Sequence, residues 1–122
     1  MRSYTTKEIG DIGEDYAVKY LTDKNYKIIS RNFKSKIGEI DIIAENKEYI
    51  IFVEVKTRHI NSLTHPYEAV NKTKQRKIIN TARYYLMKYS VEKYCRFDVC
   101  EVIVERNNLK LSRINHIKSA FE

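Results

Sequence analysis

Apolar residues recur at helical spacing in two stretches of this chain and at strand spacing in five. Ile9, Ile12, Tyr16, Ala17, Tyr20 and Leu21 mark one face of a helix. Thr5 or Thr6, with an acidic residue in the first turn, supplies its start, and it should end near residues 23–25. Residues 26–33 read as a strand of mixed polarity, and strands are predicted over 39–44 and 48–57. The Glu45-Asn46-Lys47 segment between the last two is short enough for a hairpin, so the three form an antiparallel meander. Pro66 suits the first turn of a helix, but the main helix is predicted over 73–89, with Ile78, Ile79, Ala82, Tyr85, Leu86 and Tyr89 facing inward. A strand over 96–105, a turn at Asn107-Asn108 and a last strand over 109–114 complete the chain. The order α-β-β-β-α-β-β describes an α/β protein with one mixed sheet flanked by helices. Residues 1–122 are of a size for a single domain.

One stretch breaks its own pattern. From Tyr49 to Val53 both faces of the strand are apolar, as in a strand buried on both sides. Glu54 and Lys56 then appear where core residues should stand. Ionisable groups buried there cost several kcal/mol unless paired or bound to metal. Across the hairpin, Asp41 can stand beside Glu54 on the face that Lys56 also shares. Two close carboxylates repel, and a cation relieves them. Magnesium does so with oxygen ligands while keeping room for phosphate oxygens, and a nearby ammonium can position water or stabilise developing charge. The plainer alternative is a Glu54–Lys56 salt bridge with Asp41 capping a turn.

Composition adds a partner. Hydrophobic residues make up 43% of the chain, as in a packed protein, and the formal charge of +7 with a pI near 9.4 favours a polyanion such as nucleic acid. Cys95 and Cys100 have neither zinc nor disulfide-framework spacing and read as reduced core residues of a cytoplasmic protein. The first residues lack the apolar stretch of a signal peptide, and no segment approaches the ~20 apolar residues of a spanning helix. His59, His65 and His116 have no zinc or triad spacing. Tyr16, Tyr20, Tyr85 and Tyr89 sit at helical core positions rather than as base-stacking platforms.

The series Asp41…Glu54-Val55-Lys56 resembles the D…(D/E)-x-K signature of the restriction-endonuclease-like superfamily. More closely, the chain resembles the YraN family of small bacterial proteins assigned to that superfamily. The resemblance rests on Gly13-Glu14, Arg31-Asn32, Gly38-Glu39-Ile40-Asp41, Phe52 to Arg58, Arg96-Phe97-Asp98 and Ala120-Phe121. It is also similar to archaeal Holliday junction resolvases, which place a helix-1 glutamate before the same acid-acid-lysine series. Ile40 stands where the superfamily often has proline, a departure that removes no ligand.

The resemblance implies a restriction-endonuclease-like fold and metal-dependent hydrolysis of DNA phosphodiesters, including branched or repair intermediates. In it Asp41 and Glu54 bind Mg2+ or Mn2+, Lys56 assists catalysis and Glu14 completes the site. By position alone, Glu14 is equally a boundary residue of its helix with a solvated tip. Glu39 is a second ligand, a base, or a salt-bridge partner of Lys56 or Arg58. Lys72, Lys74, Arg76 and Lys77 ordinarily form a solvated helix face, and beside such a site they become contacts to backbone phosphates, as does Arg58. Cleavage of both strands would favour a homodimer. The competing expectations are a non-catalytic nucleic-acid-binding or adaptor protein that keeps the fold, and a structural protein with a buried ion-pair cluster.

Overall fold

The computed structural model describes residues 3–61 and 70–122. Pro66, His65 and the first two residues, which entered the expectations above, lie outside them. Thr5 caps α1 (Thr6–Asp23) through a reciprocal pair: its hydroxyl accepts from the Glu8 amide, and the Glu8 carboxylate accepts from the Thr5 amide, each at 3.0 Å. Asn25, at φ 69°, turns the chain out of the helix in the left-handed conformation that asparagine tolerates. Strands β1 (Lys27–Lys34), β2 (Glu39–Glu45) and β3 (Tyr49–His59) then form the expected antiparallel meander. The Asn46 side chain closes the tight turn by accepting from the Glu48 and Tyr49 amides.

Helix α2 (Lys72–Lys88) lies in sequence between β3 and β4 (Tyr94–Val104), which pair in parallel. Strand β5 (Leu111–Phe121) returns antiparallel, so the sheet reads β1-β2-β3-β4-β5 in space as in sequence. The α-β-β-β-α-β-β order and the mixed sheet expected of this α/β class are both present. No helix among the described residues is long and apolar enough to cross a membrane.

The helices cover opposite faces. Ala17 and Leu21 of α1 pack on Ile42, Ala44, Ile51 and Val53, while Ile78, Ala82 and Tyr85 of α2 pack on Ile43, Ile50, Phe52 and Phe97. Burying each of the isoleucine, leucine, valine and phenylalanine side chains is worth about 1.5–3 kcal/mol, so the doubly covered β3 anchors the fold. Gly13 brings α1 onto this strand: a Cβ there would collide with Thr57 Oγ1. Only a hydrogen fits.

Three expectations need correcting. The last strand runs to Phe121 rather than ending at Ile114, because its central residues are polar groups turned to buried partners, which hides the strand in the pattern. Tyr89 is exposed beyond the end of α2, its ring 4.6 Å from that of Tyr85. Cys95 is exposed near the start of β4, and only Cys100 is core, its thiol pushed up to about 12 by burial.

Candidate functional site

The β2–β3 ladder stops at Ile42↔Val53, one residue short of Asp41 and Glu54. Beyond that point the strands separate, and Asp41 fills the gap with its side chain: Oδ2 accepts from the Val55 amide at 2.8 Å. A carboxylate here does the work of a ladder carbonyl. Alternation also fails at this residue. Ile42 and Ala44 pack under α1, whereas Ile40 joins Ile43 on the α2 side. Asp41 accordingly lines a cavity of about 300 Å³ beneath the N-terminal half of α1, with Gly10, Glu14, Val55 and Thr57. Glu54 faces the other helix, where Lys74 Nζ lies 2.8 Å from its Oε1. Asp41 and Glu54 therefore approach around the end of a ladder rather than on one face, as simple parity had suggested.

The charges of this cluster are equal in number but crowded. Asp41 is pushed up to about 7 by burial and by Glu54, with Glu14 adding to the effect, against the Val55 amide and Lys74. Lys56 is lowered by burial and by the adjacent Lys74, although Glu54 and Asp41 pull the other way. Lys74 suffers the same desolvation but ends up raised, because Glu54 accepts a hydrogen bond from it and the Glu54 and Asp41 charges attract it. Two acids and two lysines thus share one partly dry place, and each feels a like charge as well as an opposite one.

Glu14, buried on α1, is held from β1. Arg31 Nε donates to its Oε1 at 3.0 Å and Asn32 Nδ2 donates to the same oxygen at 3.1 Å. Consecutive strand residues normally point to opposite faces; Asn32 sits at φ 54°, and that left-handed twist lets both side chains reach one atom. Arg31 also donates to Asp15 at 2.7 Å. These two donors leave Glu14 with one oxygen clear of them at the edge of the cavity.

The other predicted residues divide. Glu39 is exposed at the start of β2, opposite Lys34, and is not among the charges that shift Asp41. Lys72, Arg76 and Lys77 are exposed on the first turns of α2, open to a polyanion. Arg58 is largely buried, with Nε 3.7 Å from Oε2 of the fully buried Glu101, so it faces the interior rather than an open surface. Lys74 turns into the cluster as the partner of Glu54. Sequence reasoning placed Lys74 on the outer face and gave Arg31 and Asn32 no role; the Arg-Asn pair had only its place in the family resemblance to signal it.

Whether the cluster suits a metal can be judged from its donors. Among the described residues no three His, Cys, Asp or Glu side chains are grouped to cage an ion unaided. Magnesium, however, needs only one or two carboxylates when water and phosphate complete its shell. Asp41 and Glu54 are hard oxygen donors, and burial together with their mutual repulsion pushes Asp41 up to about 7, so the pair fits such an ion.

A second buried network stands apart from this one. Asp98 on β4 accepts from Arg96 Nε and Nη2 at 2.9 Å each, from the Ser119 amide at 3.1 Å and from His116 Nε2 at 2.7 Å. Because a carboxylate only accepts, Nε2 carries a proton, and in the neutral ring Nδ1 is left to accept from the Tyr20 hydroxyl at 3.3 Å. Tyr26 accepts from Arg96 at 2.8 Å. Burial alone would raise Asp98, but the His116 and Arg96 hydrogen bonds take it below the usual carboxylate range. His116, which spacing gave no chemistry, is a structural member of this network.

Comparison with known proteins agrees with the resemblance seen in the sequence. A family model described as "Uncharacterised protein family UPF0102" matches residues 13–102. A UPF0102 protein of Caldanaerobacter subterraneus subsp. tengcongensis is 45% identical over 122 residues, covering 99% of this chain and 100% of its own. A UPF0102 protein of Clostridium botulinum strain 657 is 46% identical over 121 residues, 98% of each chain.

Proposed function

This chain belongs to the uncharacterised protein family UPF0102, and we propose that it is a metal-dependent nuclease that hydrolyses DNA phosphodiester bonds. The observation that carries the reading is the crowding of Asp41, Glu54, Lys56 and Lys74 at the open end of the β2–β3 ladder, where Glu54 pairs with Lys74 while burial and Glu54 push Asp41 up to about 7. A purely structural role would favour a partner for each charge, since a buried ion without one costs stability. Strain of this kind gathers at functional sites.

In this reading Asp41 and Glu54 would hold Mg2+ or Mn2+, which when bound supplies Lewis acidity toward the phosphate and a more acidic water. Asp41 is fixed by the Val55 amide, so its carboxylate is aimed before substrate arrives. Lys56, with its ammonium lowered by burial and by Lys74, is poised to exchange a proton at Nζ with the attacking water or to steady charge on the phosphate. Glu14, clamped by Arg31 and Asn32, borders the same cavity and orients water there. The exposed Lys72, Arg76 and Lys77 contact backbone phosphates, which sets affinity without sequence choice. Branched or repair intermediates are the substrates the resemblance suggests. Such a substrate places the protein in the cytoplasm, and cutting both strands would call for a second copy.

A second reading is favoured by Lys74 on Glu54 and by the absence, among the described residues, of a three-donor group. It is an adaptor that binds nucleic acid and does not cut. Incubation with branched, duplex and single-stranded DNA in Mg2+ or Mn2+ separates the two. The nuclease reading expects cleavage that falls about 100-fold or more in Lys56→Ala, with DNA affinity nearly unchanged, and that is lost in Glu54→Gln. Salt-sensitive binding of DNA without cleavage of any substrate would replace it with the adaptor.

A further inference from the structure

Lys74 occupies an unfavourable place for a cation. It lies in the first turn of α2, a turn with no acidic residue and with Lys72 alongside, where the helix dipole is positive. Its backbone is fixed, because its amide donates to the N-cap Asn71 Oδ1 at 2.9 Å. Its side chain remains 44% exposed while that of Glu54 is only 6% exposed. One partner of the ion pair is buried and immobile; the other reaches in from solvent on a flexible stem. Lys56 stands beside it, its own ammonium disfavoured by Lys74. Glu54 and Asp41 retain Lys74 against the helix dipole.

On the nuclease reading, we propose that Lys74 is a built-in counter-ion that competes with a divalent cation for Glu54 and yields its place when a nucleic-acid phosphate arrives to receive it. The free protein then holds its metal weakly. Phosphodiester and metal load together, because phosphate offers Lys74 a partner outside the carboxylate pair, away from Lys56. Lys74 is a positioning residue in this scheme, and it distinguishes a nucleic-acid polyanion from metal alone. The exposed Lys72, Arg76 and Lys77 on the same turns lay the phosphate path to it.

The test is Mn2+ affinity by titration calorimetry, with and without a DNA duplex whose integrity after each titration is checked on a gel. Wild-type protein should bind Mn2+ weakly alone and about 10-fold more tightly with the duplex, within the usual range of coupling between sites. Lys74→Met should bind Mn2+ about 10-fold more tightly than wild type without DNA, and the gain from the duplex should shrink. Lys74→Gln should do the same should the methionine variant not fold, and Lys74→Arg should behave as wild type. Equal or weaker Mn2+ affinity in both neutral variants overturns the counter-ion proposal, and the nuclease reading survives if wild-type binding still disappears in Asp41→Asn/Glu54→Gln. Absence of Mn2+ binding in every form, with and without duplex, overturns both.

Discussion

Asp98 on β4 and Asp41 on β2 are carboxylates withdrawn from water on one sheet, and their neighbours drive them in opposite directions. Asp98 is surrounded by donors: a guanidinium that gives it two hydrogen bonds, an imidazole and a backbone amide. Asp41 has one amide donor and faces a second buried acid, Glu54. Burial is the first influence on both, yet Asp98 falls below the ordinary value of 3.8 while Asp41 rises to about 7. Desolvation penalises either anion; the supply of positive charge and N–H donors decides the outcome. A network complete in itself has nothing to gain from a ligand. The incomplete one does.

The comparison breaks most visibly if Asp98 is removed. Asp98→Ala strands Arg96, whose side chain is only 12% exposed, and should cost about 3–5 kcal/mol in urea denaturation. Because Asp98 has a lowered pKa in the folded state, its contribution is complete above the unfolded value and disappears as pH falls through the folded one. The wild-type protein should therefore weaken below about pH 4, and the variant should lose most of that acid sensitivity. A loss under 1 kcal/mol would show that the network is not the matched element described here.

Asp41 carries the opposite sign. Its raised folded pKa means that the native state binds the proton more tightly than the unfolded chain does, so stability should decline as pH rises from about 4 to about 7. Asp41→Asn keeps an acceptor for the Val55 amide and removes the charge. It should gain on the order of 1 kcal/mol at pH 8, as substitutions at strained functional positions commonly do, and flatten the thermal melting profile over that range. Destabilisation at pH 8 would make Asp41 a matched group like Asp98. A finer measure of the matched side is Tyr20→Phe, which deletes one neutral hydrogen bond to His116 and should cost about 0.5–1.5 kcal/mol in the same denaturation assay.

Much of this architecture could be read from residue order. The capped first helix, the hairpin around Asn46 and the doubly apolar β3 follow from local spacing and turn chemistry. So does the conspicuous arrival of Glu54 and Lys56 at the end of an apolar run. The approach of Asp41 to Glu54 was anticipated for an incomplete reason: a shared sheet face was assumed, whereas the ladder ends and alternation fails between Ile40 and Ile42. Neither the left-handed Asn32 nor the grip of Arg31 and Asn32 on one oxygen has a periodic signature. The Lys74–Glu54 pair joins residues from separate elements, and from sequence Lys74 looked like its solvated neighbours. His116 carries no local signal, because its partners, Tyr20 and Asp98, are distant along the chain. Periodicity registers which face a residue occupies and is blind to which buried group it answers.

Gly13 carries a consequence of another kind. It has no functional group, yet the backbone at this point touches Thr57 so closely that the helix has no slack. The next residue is Glu14, and the cavity it borders lies directly below. Any added atom at position 13 acts as a shim, lifting the helix from the strand and carrying Glu14 with it. The tolerance of the site is therefore set by a residue that performs no chemistry. On the proposed function, this glycine would score in a genetic screen alongside Asp41 and Glu54, and its natural suppressors would be smaller residues at position 57.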